Sequence, residues 1–307
     1  MKYFLKKVAV FFVLAAVIDI TFGWASVFLR GKARGGQTYK SQHIFKECED
    51  DILILGSSKA AHHYIPDIIS DSTGLSCYNC GLEGNGIIGA YARYKMVSAR
   101  KIPKLVIYEV TPAYDFLQDK GYSSYLGEIR PYTDNKIIKE EYLLFSEELE
   151  WLKLWSNMYR NNSHIISYLK DIVKPTADNR GYEPLMGKIA KSTTIKSVQH
   201  VKEKAHWDSL KCSLFEQLIK EIQRDGAEIV FIASPSFYSG NMVEGYDMAF
   251  DISKKYNIRF VNNMGLEMFN GREDYFQDVT HLNNTGAIEY SKYVANQLKM
   301  ILSERKI

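Results

Sequence analysis

The sequence predicts an α/β protein: a flavodoxin-like three-layer sandwich with a parallel five-stranded sheet, a helical insertion after the third strand and an N-terminal transmembrane helix. Three observations carry this. Short, mainly apolar runs (Ile52–Leu55, Leu105–Val110, Glu228–Ala233) alternate with longer helical patterns. Runs without polar alternation are what strands covered on both faces look like, and strands alternating with helices imply a parallel sheet. A separate apolar stretch, Val8 to Leu29, meets the requirement of about 20 residues for crossing a bilayer.

In chain order, Lys2, Lys6 and Lys7 precede that stretch, as in a signal anchor with a cytoplasmic N-terminus; Arg30, Lys32 and Arg34 follow it and weaken the asymmetry. A cleaved signal peptide is the rival reading, with Val8–Ile18 as its core and Gly23-Trp24-Ala25 as a small-x-small cleavage site. The apolar run continues past Asp19, which favours the uncleaved anchor. Asp19 itself is costly at that depth, and either faces a partner helix or is tolerated in a single span. Residues 1–34 therefore form a membrane anchor with its juxtamembrane segment, and 35–307 the remaining domain. Residues 30–49 read as a connector.

Ile52–Leu55 is the first strand. Pro66-Asp67 fits the start of a helix that ends near Gly74. Leu75–Asn79 is the second strand; Gly81, Gly84, Gly86 and Gly89 then open a helix running to about Arg100. Leu105–Val110 is the third strand. The connection over 115–205 is too long for a plain loop. It reads as a helical insertion, a candidate lid, with helical spacing over Lys136–Trp155 and Ser163–Val173. Its aromatic residues (Tyr122, Tyr125, Tyr132, Trp151, Trp155, Tyr159, Tyr182) either pack the insertion's own core, the favoured reading, or stack on sugar rings. An amphipathic helix over Trp207–Arg224, a strand at Glu228–Ala233, a helix over Met242–Tyr256, a strand at Ile258–Val261 and a last helix from Thr285 to about Ser303 complete the pattern.

Two stretches carry chemistry. The first strand runs into Gly56-Ser57-Ser58, and a tight Gly turn there can push a serine out at the carboxyl edge of the sheet, where open α/β sheets bind ligands. Alone, Gly-Ser-Ser is equally an ordinary β-to-α turn. Near the C-terminus stands Asp278-Val279-Thr280-His281. A serine nucleophile needs a base, and the base needs a carboxylate to set its tautomer; Asp278 and His281 supply both from one loop. His62 and His63, directly after Ser58, are expected to line the pocket. Adjacent histidines share no face and no acid lies at ligand spacing, so a metal site is the disfavoured reading.

With these residues the chain resembles the SGNH/GDSL hydrolase family over most of 50–303. Gly56-Ser57-Ser58 matches the first block, with Ser58 at the nucleophile position. Asn79-Cys80-Gly81-Leu82-Glu83-Gly84 resembles the second, whose last glycine gives a backbone oxyanion donor. Asp278 and His281 match the Asp-x-x-His block. The third block, usually Gly-x-Asn-Asp, reads Thr111-Pro112-Ala113-Tyr114-Asp115 here, without the Asn. The resemblance implies a Ser58–His281–Asp278 triad. It also implies an oxyanion hole from the N–H groups of Ser58 and Gly84 and no metal or organic cofactor; Asn85 or Asn79 is the expected stand-in for the missing donor. The chain is also similar to the membrane-anchored branch that modifies cell-envelope polymers, as in alginate acetylation and teichoic-acid D-alanylation. That implies an esterase or O-acyltransferase acting on acylated carbohydrate, tethered to the bacterial cytoplasmic membrane and facing the periplasm or exterior. A non-catalytic glycan-binding or assembly protein on the same fold is the alternative, and secretion after cleavage the alternative location.

Composition narrows the remaining classes. Net charge is +3 over 307 residues. Residues 1–34 hold six Lys/Arg against one acid, which leaves the folded part nearly neutral and gives no electrostatic case for nucleic acid. Cys77 and Cys80 lie on opposite faces of a strand end, so free buried thiols are expected rather than a bridge. Gly84-Asn85-Gly86 lacks the Gly-Lys-Ser/Thr of a phosphate loop.

Overall fold

The computed structural model describes residues 1–118, 121–189, 206–237 and 245–305. Of the expected insertion, residues 119–120 and 190–205 lie outside the described residues, as does the expected start of a helix at Met242. The chain divides into two compact units. One comprises Met1–Phe45 and Leu126–Asp178, the other Lys46–Tyr125 and Asn179–Ile307.

In chain order the elements are α1 (Lys2–Arg30), α2 (Gly36–Lys46), β1 (Ile52–Gly56), α3 (Ser58–His63), α4 (Pro66–Thr73), β2 (Cys77–Asn79), α5 (Ile87–Ser98), β3 (Leu105–Glu109) and α6 (Pro112–Asp115). There follow α7 (Ser123–Ile129), α8 (Lys136–Phe145), α9 (Glu150–Lys153), α10 (Asn157–Asn161), α11 (Ile165–Val173), α12 (Ser209–Arg224), β4 (Glu228–Ala233), α13 (Tyr246–Lys255), β5 (Arg259–Asn262) and α14 (Asn284–Arg305).

The larger unit is built on the five-stranded parallel sheet, in the order β2-β1-β3-β4-β5 that the strand and helix alternation implies. Residues alternate between its faces. Ile52, Ile54, Leu105, Ile107, Val230 and Ile232 pack on Ala60, Tyr64, Tyr290, Val294 and Leu298 from α3, α14 and the turn after α3. On the other face Phe215 of α12 meets Tyr108 and Phe231, with ring centroids 5.0 and 5.4 Å apart. Both faces are covered, which is why the strands read as continuous apolar runs. β1 and β3 pair in register, bringing Gly56 beside Glu109. Cys48, Cys77, Cys80 and Cys212 form no disulfide, and the first three are buried.

The smaller unit departs from the expectation in two places. The connector expected over 30–49 contains α2, whose Ile44 and Phe45 are fully buried. Phe45 stacks on Tyr132 at 4.3 Å, a contact that no local periodicity announces. The single helix expected over Lys136–Trp155 ends at Phe145, where Ser146 turns extended and its hydroxyl donates to the Leu143 carbonyl. The apolar spacing continues because Leu149, Trp151, Leu152 and Trp155 face outward, not because they share a buried helical face.

α1 is long and apolar enough to cross a membrane, about 44 Å at 1.5 Å per residue. Asp19, read either as facing a partner helix or as tolerated in a single span, has its partners within the same unit. Its carboxylate accepts hydrogen bonds from Ser156 Oγ (2.6 Å), the Asn157 N–H (2.8 Å), Asn157 Nδ2 (2.9 Å) and the Met158 N–H (3.0 Å), all at the start of α10.

Gly56 has φ +134°, and a Cβ there would lie 2.6 Å from the Glu109 carbonyl oxygen. Gly56→Ala is therefore expected to cost at least ~1–3 kcal/mol from backbone strain alone. A melting curve of the full chain in detergent checks this: a clear drop against parent is expected, with none for Gly74→Asn, since Asn tolerates the left-handed cap.

Candidate active site

The site forms where three strands end. Gly56 turns the chain out of β1, and Ser58 becomes the first residue of α3. The partner loop precedes α14 and is shaped by Asp278. That carboxylate's Oδ1 accepts from the N–H groups of Thr280 (2.8 Å) and His281 (2.9 Å), folding the loop around itself. The same carboxylate meets His281 Nδ1 at 2.9 and 3.1 Å, and His281 Nε2 lies 2.8 Å from Ser58 Oγ. The carboxylate fixes the tautomer: Nδ1 carries the proton, and Nε2 offers its lone pair to the Ser58 hydroxyl. Burial works against the charge on Asp278, but the His281 side chain and the two N–H donors outweigh it and hold the carboxyl at about 2. The acid is therefore ionised at neutral pH.

Of the expected oxyanion donors, Ser58 and Gly84 keep free backbone groups. Among the described residues, neither N–H donates to another protein group. Gly84 sits at φ +66° with open space at its Cβ position. Asn85 does not join them. Its Oδ1 accepts from the N–H groups of Gly86 and Gly89 (3.1 and 2.9 Å), and its Nδ2 donates to the Tyr125 carbonyl (3.2 Å), so its amide serves the start of α5. Asn79 is equally committed, with Nδ2 on the carbonyls of Ala60 and Tyr64 and Oδ1 on the Gly81 N–H. At the third-block position the Thr111 hydroxyl accepts from Ser57 Oγ at 2.8 Å. Its loop is set by Asp115, which accepts from the Thr111 N–H (2.7 Å) and the Tyr108 hydroxyl (2.7 Å). Burial pushes the Asp115 carboxyl up to about 7.

The two adjacent histidines differ in role. His62 donates from Nδ1 to the Glu183 carbonyl at 2.7 Å, and its ring stands edge-on to His281, centroids 5.6 Å apart. His63 does not line the pocket as expected, because it is fully buried. Its Nε2 accepts the Leu282 N–H (2.9 Å), so its Nδ1 carries the proton and donates to Ser234 Oγ (2.8 Å). Ser234 in turn donates to Glu109 Oε1 at 2.7 Å, and Glu109 also accepts from the Tyr64 hydroxyl. Lys59 lies in the same interior, donating to the Ser234 carbonyl and Ser236 Oγ. Burial pushes Lys59 down and Glu109 up, and the charge of each counters the other's shift.

This interior ties the residue after His281 to β3 and β4. Sequence reasoning missed it. The available signals were an acid, Glu109, closing an apolar strand run, and a lysine directly after the candidate nucleophile; either needs a buried partner.

In sequence, the chain matches no protein-family model and no curated protein. In structure it is similar to an acetyl xylan esterase, AlAXEase, at 9% identity and TM-score 0.40, covering 82% of this chain and 99% of that one. It is also similar to TesA, at 13% identity and TM-score 0.41, covering 82% and 99%. At these values the reading of the site rests on its own geometry.

Burial, then the nearby Lys59, hold His63 well below the usual imidazole value. The unfolded chain, with an imidazole near 6.5, therefore takes up a proton before the native one does. His63 thus adds nothing to the pH dependence above ~6.5 and costs stability as pH falls below it. His63→Phe is expected to lower stability at pH 8 by ~1–3 kcal/mol, through the orphaned Leu282 N–H. It should also flatten the fall in melting temperature between pH 6.5 and 5, measured on the full chain in detergent.

Proposed function

We propose that the chain is a serine-dependent esterase or O-acyltransferase of the SGNH/GDSL kind, acting on acyl esters, acetyl above all, of a cell-envelope glycan. The observation that carries this reading is the continuous line from Asp278 through His281 to Ser58 Oγ, at 2.9 and 2.8 Å. Such a line activates a hydroxyl that is a weak nucleophile on its own.

In the proposed reaction, His281 Nε2 takes the Ser58 proton as Oγ attacks the ester carbonyl. Asp278 stabilises the resulting imidazolium. The N–H groups of Ser58 and Gly84 hold the oxyanion, and the Thr111 hydroxyl takes the place of the missing third-block Asn. His281 returns the proton to the departing alkoxide, leaving an acyl group on Ser58. A water or a sugar hydroxyl, deprotonated by Nε2, then attacks the acyl carbonyl and Ser58 Oγ leaves with the proton. No metal or organic cofactor takes part. The apolar α1 supports a membrane anchor; the site outside the cytoplasm, acting on an acylated polymer rather than a soluble metabolite, follows from the resemblance to envelope-modifying proteins.

Intact-mass analysis of the full chain after exposure to a fluorophosphonate tests the reading. One adduct is expected on the parent, none on Ser58→Ala, and labelling slowed by ~10³–10⁴-fold in Asp278→Asn, where the imidazole tautomer is no longer held. A folded parent that stays unlabelled would favour the non-catalytic glycan-binding reading instead.

A further inference from the structure

α11 is built inside out. Its buried face carries Tyr168 and Asp171, and Asp171 accepts the Thr38 N–H at 3.0 Å. Its outer face carries Ile166, Leu169 and Val173, at i, i+3 and i+7, and Ile166 and Val173 are 80% and 82% exposed. The same outward display continues on the segment before it, where Trp151, Leu152, Trp155 and Met158 are exposed, Trp155 by 75%. A water-facing surface does not normally gather so many large apolar side chains.

These residues hang from α1 at a defined depth. The Asp19 carboxylate holds Ser156, Asn157 and Met158 at the start of α10. One turn further, Gly23 leaves room for the Asn157 side chain, since a Cβ there would meet Asn157 Cγ at 2.5 Å. At the far end of α1, Arg30 donates to the Pro131 carbonyl at 2.9 Å and lies over the Tyr132 ring. Between Lys7 and Trp24 α1 rises about 26 Å, close to the hydrocarbon thickness of a bilayer. Trp24 is itself 75% exposed. With Trp24 at the outer boundary, Asp19 and the start of α10 lie about 7 Å below it. Interfacial helices bury their apolar faces to a depth of about 5–10 Å. Trp24, Trp151 and Trp155 then make up an aromatic belt, and Lys170 and Lys174, both exposed, flank the α11 stripe as headgroup-reaching cations.

We propose that α9–α11 form a membrane-interface platform: their outer face sits at the boundary between headgroups and acyl chains of the bilayer that α1 crosses. Asp19 is the fastener that fixes its depth. The occupant is lipid, because the exposed apolar surface is continuous with the lipid-crossing helix and matches the interfacial depth. The inference rests on α1 remaining in the bilayer, and it is independent of the chemistry at Ser58.

The test places nitroxide labels on the full chain, reconstituted in nanodiscs of phosphatidylcholine and phosphatidylglycerol, with Cys212→Ser removing the one native cysteine that is not buried. Trp155→Cys, Ile166→Cys and Val173→Cys report on the platform, Val13→Cys on the anchor and Ile102→Cys on water. Collision rates with oxygen and with a water-soluble nickel chelate are compared. The three platform labels are expected to favour oxygen over nickel several-fold relative to Ile102→Cys, and to be quenched by lipids carrying a shallow acyl-chain probe. Platform labels open to nickel while Val13→Cys stays lipidic would overturn the platform and leave the anchor standing. Platform labels shielded from both reagents would overturn it in favour of a covering protein. A nickel-accessible Val13→Cys would overturn anchor and platform together, with fluorophosphonate labelling of Ser58 unaffected.

Discussion

Ser58 and His281 are 223 residues apart in the chain, and their side chains meet at 2.8 Å. That contact exists only because a parallel sheet ends β1 and the loop before α14 at one carboxyl edge. Each side is then held by separate means. On the Ser58 side, Gly56 occupies a backbone conformation that a Cβ would clash with, and α3 begins one residue after Ser57. On the His281 side, a single carboxylate, Asp278, both shapes the loop and sets the imidazole tautomer. The chemistry proposed for the site is a property of this convergence rather than of any residue alone.

Behind the contact lies a buried polar chain from Tyr64 through Glu109, Ser234 and His63 to the Leu282 N–H. Polar groups in such an interior are costly unless each finds its partner, and here each does. Its effect is positional. It joins the end of β3 and the residue after β4 to the backbone immediately after His281. The paired histidines after Ser58 illustrate the division of labour. His62 stands edge-on to His281, and the buried His63 holds the backbone that follows it.

The sheet order, the strand positions and the approach of Ser58 to the Asp278–His281 loop were legible in the chain, because buried parallel strands leave unbroken apolar runs and the two motifs follow strand ends. Three things were not. The polar interior is assembled from residues 45 to 219 positions apart, and no local spacing records such partners. Asn85 looked available as a donor, since sequence does not reveal that its amide caps the start of α5. The helix expected to reach Trp155 stopped at Phe145, because apolar periodicity marks a face without saying whether protein or another medium covers it. Asp19 was legible as an acid at a costly position, but the sequence left open whether it had a partner; the start of α10 supplies one.

The central claim is that Ser58 is an acylated nucleophile. The most direct measurement is rapid acid quenching of the full chain during turnover of 4-nitrophenyl acetate, followed by peptide mapping. An acetyl group on Ser58 is expected in the parent, formed within the burst of nitrophenol release and absent from His281→Ala. Acetyl groups found only on lysines, or a burst that persists in Ser58→Ala, would contradict it.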